Sequence, residues 1–143
     1  MKEYQSLSHT RWDCKYHIVF IPKRRKKRIF GALRKHLGEI FHELAGHRES
    51  KIVEGHLMSD HVHICISIPP KYAVENVVGY IKGKSETHIA RKFAGRQRNF
   101  TGENFWARGY FVSSVGLDEN IVRAYIRNQE QEDERYDQMK LGV

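Results

Sequence analysis

Apolar and polar residues along the chain follow two different periodicities. Four segments are rich in β-branched and aromatic residues, which predicts β-strands at Cys14 to Ile21, Lys51 to Met58, His61 to Ile68 and Phe105 to Val115. Three segments repeat apolar residues at helical spacing, which predicts helices at Gly31 to Ala45, at Val74 to Phe93 and after Asp118, the expected N-cap of the last helix. Only Ser59 and Asp60 separate the second and third strands, so these strands should form a hairpin.

The order of the predicted elements is β-α-β-β-α-β, followed by one more helix. This order predicts a ferredoxin-like α+β fold, in which an antiparallel sheet carries helices on one face. The chain has 143 residues, of which 40% are hydrophobic, enough for one compact core. We therefore expect a single domain over residues 1–143, with the other face of the sheet free for chemistry.

The strand beginning at His61 alternates polar and aliphatic residues. Its aliphatic row must face the helices, so His61 and His63 should lie together on the uncovered face. Their backbone positions are about 6.6 Å apart, a gap that two imidazoles can span to share one metal ion. An isolated His-x-His pair is nevertheless more often solvated than metal-bound, so the pair alone is weak evidence of a metal site.

Tyr125 and Gln129 lie four residues apart on the last predicted helix and so share one of its faces. A phenol and an amide can therefore reach the same site. For a lone Tyr-x-x-x-Gln pattern, a core tyrosine beside a solvated glutamine is the commoner explanation. The pattern becomes informative only together with the histidine pair.

The charge of the chain favours a nucleic-acid partner. Twenty-five Lys and Arg against seventeen Asp and Glu leave a formal net charge of +8, which attracts polyanions. Residues 23–28 are six consecutive cations suited to phosphate contacts, although such a run can also be simply solvated. Trp106 or Tyr110 could stack on an unpaired base or pack in the core. The predicted DNA-contact residues are Lys23, Arg24, Arg25, Lys26, Lys82, Lys84 and Arg108.

Two further expectations come from composition. Cys14 and Cys65 both lie in predicted strands, which favours free thiols over a disulfide. No stretch approaches the roughly 20 apolar residues of a membrane helix, and the first ten residues lack the apolar core of a signal peptide. We therefore expect a cytoplasmic location and no membrane partner.

Several sequence blocks occur together in an order typical of one family. M-S-D-H-V-H-I at 58–64, W-A-R-G-Y-F-V at 106–112, V-G at 115–116 and Y-I-R-N-Q at 125–129 resemble HUH single-tyrosine transposases. The chain is most similar to the small transposases of the insertion sequence 200/605 group. Similarity extends to H-T-R-W-D-C-K-Y-H-I-V-F at 9–20 and Y-I-K-G-K-S at 80–85, so it covers nearly the whole chain.

The resemblance implies a role for each matching residue. Tyr125 would be the nucleophile, His61 and His63 would be metal ligands, and Gln129 would be the third protein ligand. The resemblance implies Mg²⁺ or Mn²⁺, although imidazoles also suit Zn²⁺. The residue that accepts the phenolic proton is not identified. Glu54 and His56 are candidates if their strand face is the open one.

The resemblance also implies a substrate and an assembly. The enzyme would cleave and rejoin single-stranded DNA at the ends of an insertion sequence through a 5′-phosphotyrosine intermediate. DNA hairpins at those ends would be the partner. The protein would form a homodimer whose last helix can place Tyr125 against the partner's histidine pair, which makes a composite active site.

Three alternative functions stay open at this point. The first is a nonenzymatic or domesticated hairpin-binding protein on the same fold. The second is a relaxase or replication initiator with the same chemistry, which the short chain disfavours. The third is a metal-dependent nuclease, in which metal-activated water replaces the phenol as the nucleophile.

Overall fold

The computed structural model describes residues 5–7, 10–93, 105–114, 120, 123–129 and 131. Its strands are β1 (Gln5–Leu7), β2 (Thr10–Trp12), β3 (Lys15–Phe20), β4 (Lys51–Met58), β5 (His61–Ser67) and β6 (Phe111–Ser113). Its helices are α1 (Gly31–Gly46) and α2 (Val74–Phe93). Residues 123–129 are also helical and are named α3 here.

Four strands form the main sheet in the order β4-β5-β3-β6, with every neighbouring pair antiparallel. This order confirms the predicted α+β architecture, because β5 inserts between the two strands that flank α1. The predicted hairpin is also present, since Ser59 and Asp60 form the turn between β4 and β5. β1 and β2 pair in a separate two-stranded sheet that the sequence patterns did not predict.

The main core lies between one face of this sheet and the helices α1 and α2. The predicted aliphatic row of β5 and the residue after it point into this core: Val62, Ile64, Ile66 and Ile68. The apolar stripes of α1 and α2 cover that row, as their helical spacing predicts. The buried members of the two stripes are Leu37, Ile40, Phe41, Leu44, Val77, Val78, Ile81 and Ile89.

The prediction of a strand over the whole of Phe105 to Val115 is wrong. Among the described residues of this segment, 105–114, only Phe111–Ser113 pairs with β3. Gly109 has a φ of +79°, a left-handed conformation that interrupts extended backbone. Before it, Trp106 makes an isolated bridge with Pro22, and its side chain is buried in the main core. Aromatic content in this segment thus reflects burial of individual side chains rather than a continuous strand.

A second, smaller cluster lies on the opposite face of the sheet. Alternation in β3 directs Ile18 and Phe20 into the main core, whereas Val19 points to the other side. There, α3 covers part of the face, which corrects the expectation that the whole face is free. The buried members of this second cluster are Val19, Ile21, Ala107 and Ile126, with Phe111 and Tyr125 packed against them.

Two further observations concern the cysteines and the helices. Cys14 and Cys65 are both free thiols and are partly exposed. Among the residues that the structure describes, no helix has both the length and the apolar character needed to cross a membrane.

Candidate functional site

Three histidines lie in contact on the face of the sheet that α1 and α2 leave uncovered. His63 is half-buried there, and the register of β4 and β5 sets His56 directly across from it. The two rings stack with their centroids 5.9 Å apart. On the other side, the Nδ1 atom of His17 in β3 lies 3.2 Å from the Nε2 atom of His63. His63 therefore has an imidazole on each side.

This environment favours the neutral form of His63. Burial lowers its pKa below the ordinary histidine value of 6.5, and the neighbouring His17 and His56 lower it further. A neutral imidazole is the form that coordinates a metal ion. The surroundings of His63 thus suit a ligand nitrogen near neutral pH.

His61 is held by its neighbour in the turn. Its Nδ1 atom lies 2.9 Å from the Oδ1 atom of Asp60. The other carboxylate oxygen of Asp60 lies 3.6 Å from the Nε atom of Arg25. A carboxylate that accepts the Nδ1 proton of a histidine leaves Nε2 as the nitrogen that can coordinate a metal.

Tyr125 packs on the same face of the sheet as the histidines. Its ring centroid lies 6.0 Å from that of Phe111, and its hydroxyl oxygen is buried. It belongs to the small cluster that contains Val19, and Val19 is the cross-strand partner of His63 in β3. The predicted nucleophile and the predicted metal pair are therefore linked through one residue of β3.

Gln129 follows Tyr125 by one turn of α3. Its side-chain nitrogen donates a hydrogen bond to the carbonyl oxygen of Arg108, which ties α3 to the segment before β6. In the described part of the chain, no group of three or more His, Cys, Asp or Glu side chains is arranged to hold a metal ion. Two imidazoles and an amide oxygen nevertheless fit a divalent cation chemically. The role of Gln129 as third ligand stays a prediction.

Glu54 and His56 do lie on the open face, because both belong to the exposed side of β4. The Oε1 atom of Glu54 is 3.0 Å from the Nε2 atom of His56. These two residues were candidate proton acceptors on the condition that their strand face is the open one, and the structure meets that condition. Their catalytic role stays a prediction.

The predicted DNA-contact residues fall into two groups. The ammonium of Lys82 donates to the carbonyl oxygens of Ala107 and Gly109, at 2.8 and 2.6 Å, so two of its three protons are used within the protein. Arg25 likewise faces Asp60. Lys23 is partly exposed, and the remaining predicted contacts are exposed: Arg24, Lys26, Lys84 and Arg108.

Stacking of Trp106 on a base is excluded by its burial. The side chain is 4% exposed, and its Nε1 atom donates to the hydroxyl of Ser85 at 2.9 Å. Its backbone nitrogen donates to Glu86, also at 2.9 Å. Trp106 is therefore a core residue, whereas Tyr110 is only partly buried.

The sequence patterns missed His17 and the Arg25–Asp60 pair. Alternation in β3 carried a usable signal, because Tyr16 and Ile18 flank His17 and face the main core. The contact with His63 depends on the pairing of β3 with β5, which lies 46 residues away along the chain. The Arg25–Asp60 contact likewise joins two turns that are far apart along the chain, and no local sequence pattern predicts it.

Comparisons with known proteins place this architecture in a family. A family model described as transposase IS200 like matches residues 10–129. The transposase for insertion sequence element IS200 of Salmonella typhimurium is 38% identical over 141 residues, which cover 99% of this chain and 93% of the relative. The ISDra2 transposase TnpA of Deinococcus radiodurans is 24% identical over 119 residues, which cover 82% and 85%.

Two solved structures share the fold. A crystal structure of a Deinococcus radiodurans R1 protein assigned as a transposase aligns with a TM-score of 0.77 and 24% identity, over 90% of this chain and 98% of that one. A REP-associated tyrosine transposase bound to a REP hairpin aligns with a TM-score of 0.54 and 14% identity, over 88% and 68%. Because the family model spans most of the chain and the Salmonella relative is similar over nearly its full length, this chain belongs to the IS200-like transposase family.

Proposed function

We propose that this transposase cleaves and rejoins single-stranded DNA at insertion-sequence ends, with Tyr125 as the nucleophile. One observation carries the proposal. The ring of Tyr125 packs against Phe111, whose cross-strand partner in β3 is Val19, and Val19 is in turn the cross-strand partner of His63. The phenol and the histidine pair therefore share one face of the sheet. Membership of a transposase family supports DNA as the substrate.

The proposed reaction exchanges one ester bond for another. The phenolic oxygen of Tyr125 attacks the phosphorus of a phosphodiester and loses its proton, and the bond from phosphorus to the 3′ oxygen breaks. The departing oxygen takes up a proton as a 3′-hydroxyl, and the 5′-phosphate stays on Tyr125. Attack by another 3′-hydroxyl reverses these steps and releases Tyr125. The bond count is unchanged throughout, so no high-energy cofactor is required.

A divalent cation would be held by His61, His63 and Gln129. The Nε2 atom of His61 is the nitrogen that its contact with Asp60 leaves for coordination. Mg²⁺ or Mn²⁺ is proposed. When bound, such a cation polarises the scissile phosphate and offsets its negative charge.

Hairpins in single-stranded DNA are the proposed partner, and a homodimer is the proposed assembly. The relative with a TM-score of 0.54 was solved bound to a REP hairpin, which supports this class of ligand. The exposed cations Arg24, Lys26 and Lys84 offer phosphate contacts that require no base sequence. The homodimer rests on the family resemblance and stays a proposal.

Formation of a covalent protein–DNA adduct tests the reaction. Wild type, Tyr125→Phe and His61→Ala are incubated with labelled single-stranded element-end DNA and Mg²⁺ or Mn²⁺, then resolved on a denaturing gel. We expect an adduct in the wild type and none in either variant, because the first lacks the attacking oxygen and the second lacks a metal ligand.

Tyr110→Phe is the matched control, because Tyr110 is another partly buried tyrosine that packs against the main core rather than beside the histidines. It should form the adduct as the wild type does. Cleavage that persists in Tyr125→Phe would assign the attack to water and indicate a nuclease. Binding of verified cognate ends without any cleavage would indicate a binding protein.

A further inference from the structure

The basic segment, defined as residues 23–28, is attached to the rest of the fold at both ends. At one end, the backbone nitrogen of Lys23 donates to the carbonyl oxygen of Phe105 at 2.8 Å. Just past the other end, the backbone nitrogen of Ile29 donates to the carbonyl oxygen of Ser59 at 3.1 Å. Ser59 directly precedes Asp60 and His61. The segment is therefore connected to the turn that directly precedes His61, a predicted metal ligand.

The backbone of this segment is strained at two arginines. Arg24 and Arg25 have φ values of 60° and 52°, in the left-handed region that residues with a Cβ seldom occupy. Such conformations persist where surrounding contacts hold them. At Arg25 the contact is with Asp60, whose Oδ2 atom lies 3.6 Å from the guanidinium Nε. The side chain of Arg24 is exposed.

The same carboxylate also reaches the histidine. The Oδ1 atom of Asp60 lies 2.9 Å from the Nδ1 atom of His61, and both side chains are 24% exposed. The two oxygens of Asp60 thus contact different residues, Arg25 on one side and His61 on the other. A histidine held in this way keeps its proton on Nδ1 and a fixed ring orientation.

We propose that Asp60 is a positioning residue that holds His61 for metal binding, and that Arg25 orients Asp60. Arg25 then serves the metal site from within the basic segment and is not one of its phosphate contacts. Lys26, which is exposed in the same segment, retains the phosphate-binding role. The inference rests on the proposed function, since it assumes that His61 coordinates a metal ion.

Two measurements without DNA test the inference. The first is ¹⁵N NMR of the His61 ring in metal-free protein, which reports which nitrogen is protonated. The second is Mn²⁺ affinity, followed by the electron paramagnetic resonance signal of the free ion. The variants are Asp60→Ala, Asp60→Asn and Arg25→Gln, with His61→Ala to identify the site and Lys26→Gln as the matched control for charge in the segment.

We expect the wild-type ring to be protonated on Nδ1 and Asp60→Ala to lose this preference. Mn²⁺ affinity should fall about 10- to 100-fold in Asp60→Ala, the range typical of residues that support metal ligands. Asp60→Asn should keep the tautomer and lose less affinity, because its amide oxygen still accepts the Nδ1 proton. Arg25→Gln should weaken Mn²⁺ binding, whereas Lys26→Gln should weaken only binding of single-stranded DNA.

The results that would contradict the inference on Asp60 and Arg25 differ from those that would contradict the proposed metal site. An unchanged tautomer and unchanged Mn²⁺ affinity in Asp60→Ala would overturn the inference. Equal losses of Mn²⁺ affinity in Arg25→Gln and Lys26→Gln would overturn the part assigned to Arg25. A wild-type ring protonated on Nδ1 without His61-dependent Mn²⁺ binding would overturn the metal site of the proposed function and support the Asp60 contact.

Discussion

His63 shows how burial and neighbouring side chains together favour one protonation state of a residue. Its ring lies between those of His17 and His56, and burial is the largest cause of its lowered pKa. His36, between α1 and α2, also has a pKa below 6.5, because of burial and the nearby Lys92 and His88. Both rings therefore resist protonation in the folded chain more than they do in the unfolded one.

This difference predicts a loss of stability in acid. Because the folded-state pKa values are lowered, the unfolded chain binds more protons below pH 6.5, so the free energy of unfolding should fall as the pH decreases from 6.5 through the folded-state values. Denaturant titrations of metal-free protein at a series of pH values measure it.

The matched pair of variants is His63→Gln and His42→Gln. The first should flatten part of the pH dependence, because it removes one of the two shifted groups. The second replaces an exposed histidine of α1 and is the control for the loss of an imidazole. A slope that is identical in both variants would show that His63 does not contribute.

Alternation of side chains was sufficient to place residues within a strand. It predicted that His61 and His63 would lie opposite the aliphatic row of β5, and burial of that row confirms it. It could not predict which residues of other strands lie beside them. The contacts of His63 with His17 and His56 depend on strand register, which long-range packing determines.

At the level of elements, Lys82 joins α2 to the irregular segment before β6. Its two hydrogen bonds to Ala107 and Gly109 satisfy carbonyl oxygens that lie outside any strand. Gln129 bonds to the carbonyl oxygen of Arg108, between those two residues. The backbone from Ala107 to Gly109 thus accepts hydrogen bonds from both α2 and α3, and Lys82 stabilises this stretch.

Substitution of Lys82 should therefore reduce stability more than substitution of a nearby lysine. We expect Lys82→Met to lower the free energy of unfolding by about 1–3 kcal/mol, the usual cost when a bond to a charged donor is lost. Lys84→Met, which alters an exposed lysine of the same helix, should change it by less than about 0.5 kcal/mol. Denaturant melts compare the two, and equal losses would contradict the structural role of Lys82.

The elements that were predicted well have strong local periodicity. The predicted bounds of α2, Val74 to Phe93, agree with the structure, and those of α1 differ by one residue. The fourth strand was predicted too long because aromatic composition does not distinguish a strand from an irregular segment with buried rings. The β1–β2 hairpin was missed because strands of three residues are too short to show alternation.

At the scale of the whole molecule, the two apolar clusters of the described chain differ greatly in size. The main core contains most of the buried residues of the sheet, α1 and α2, whereas the cluster under α3 has four buried members in the described chain. Helix α3 is therefore the more easily detached part. Exchange of α3 between two subunits would leave the main core of each intact.

Mixing two inactive variants tests the proposed composite site. Tyr125→Phe and His61→Ala are each expected to form no adduct. In a dimer that exchanges α3, one mixed site combines an intact tyrosine with an intact histidine pair, so the mixture should recover adduct formation. Failure to recover, in a mixture shown to contain mixed dimers, would mean that each chain completes its own site, in agreement with the packing of Tyr125 against the small cluster of its own chain.

The order of elements predicted the overall architecture because connections between neighbouring elements allow few arrangements. The position of α3 on the sheet was beyond that reasoning, since its apolar stripe is compatible with more than one partner surface. The single domain over residues 1–143 stays a prediction. So does the helix cap at Asp118, which lies outside the described residues.

The burial of the Tyr125 hydroxyl oxygen has a consequence for the timing of the proposed reaction. While α3 stays packed in the small cluster, with the ring of Tyr125 against Phe111, no phosphate in a DNA strand can approach that oxygen. On the proposed function, the nucleophilic oxygen of Tyr125 is buried in the protein before DNA binds. It becomes accessible to a phosphate only when α3 moves away from the sheet. Such an arrangement would prevent cleavage of a DNA strand that the protein contacts before α3 moves.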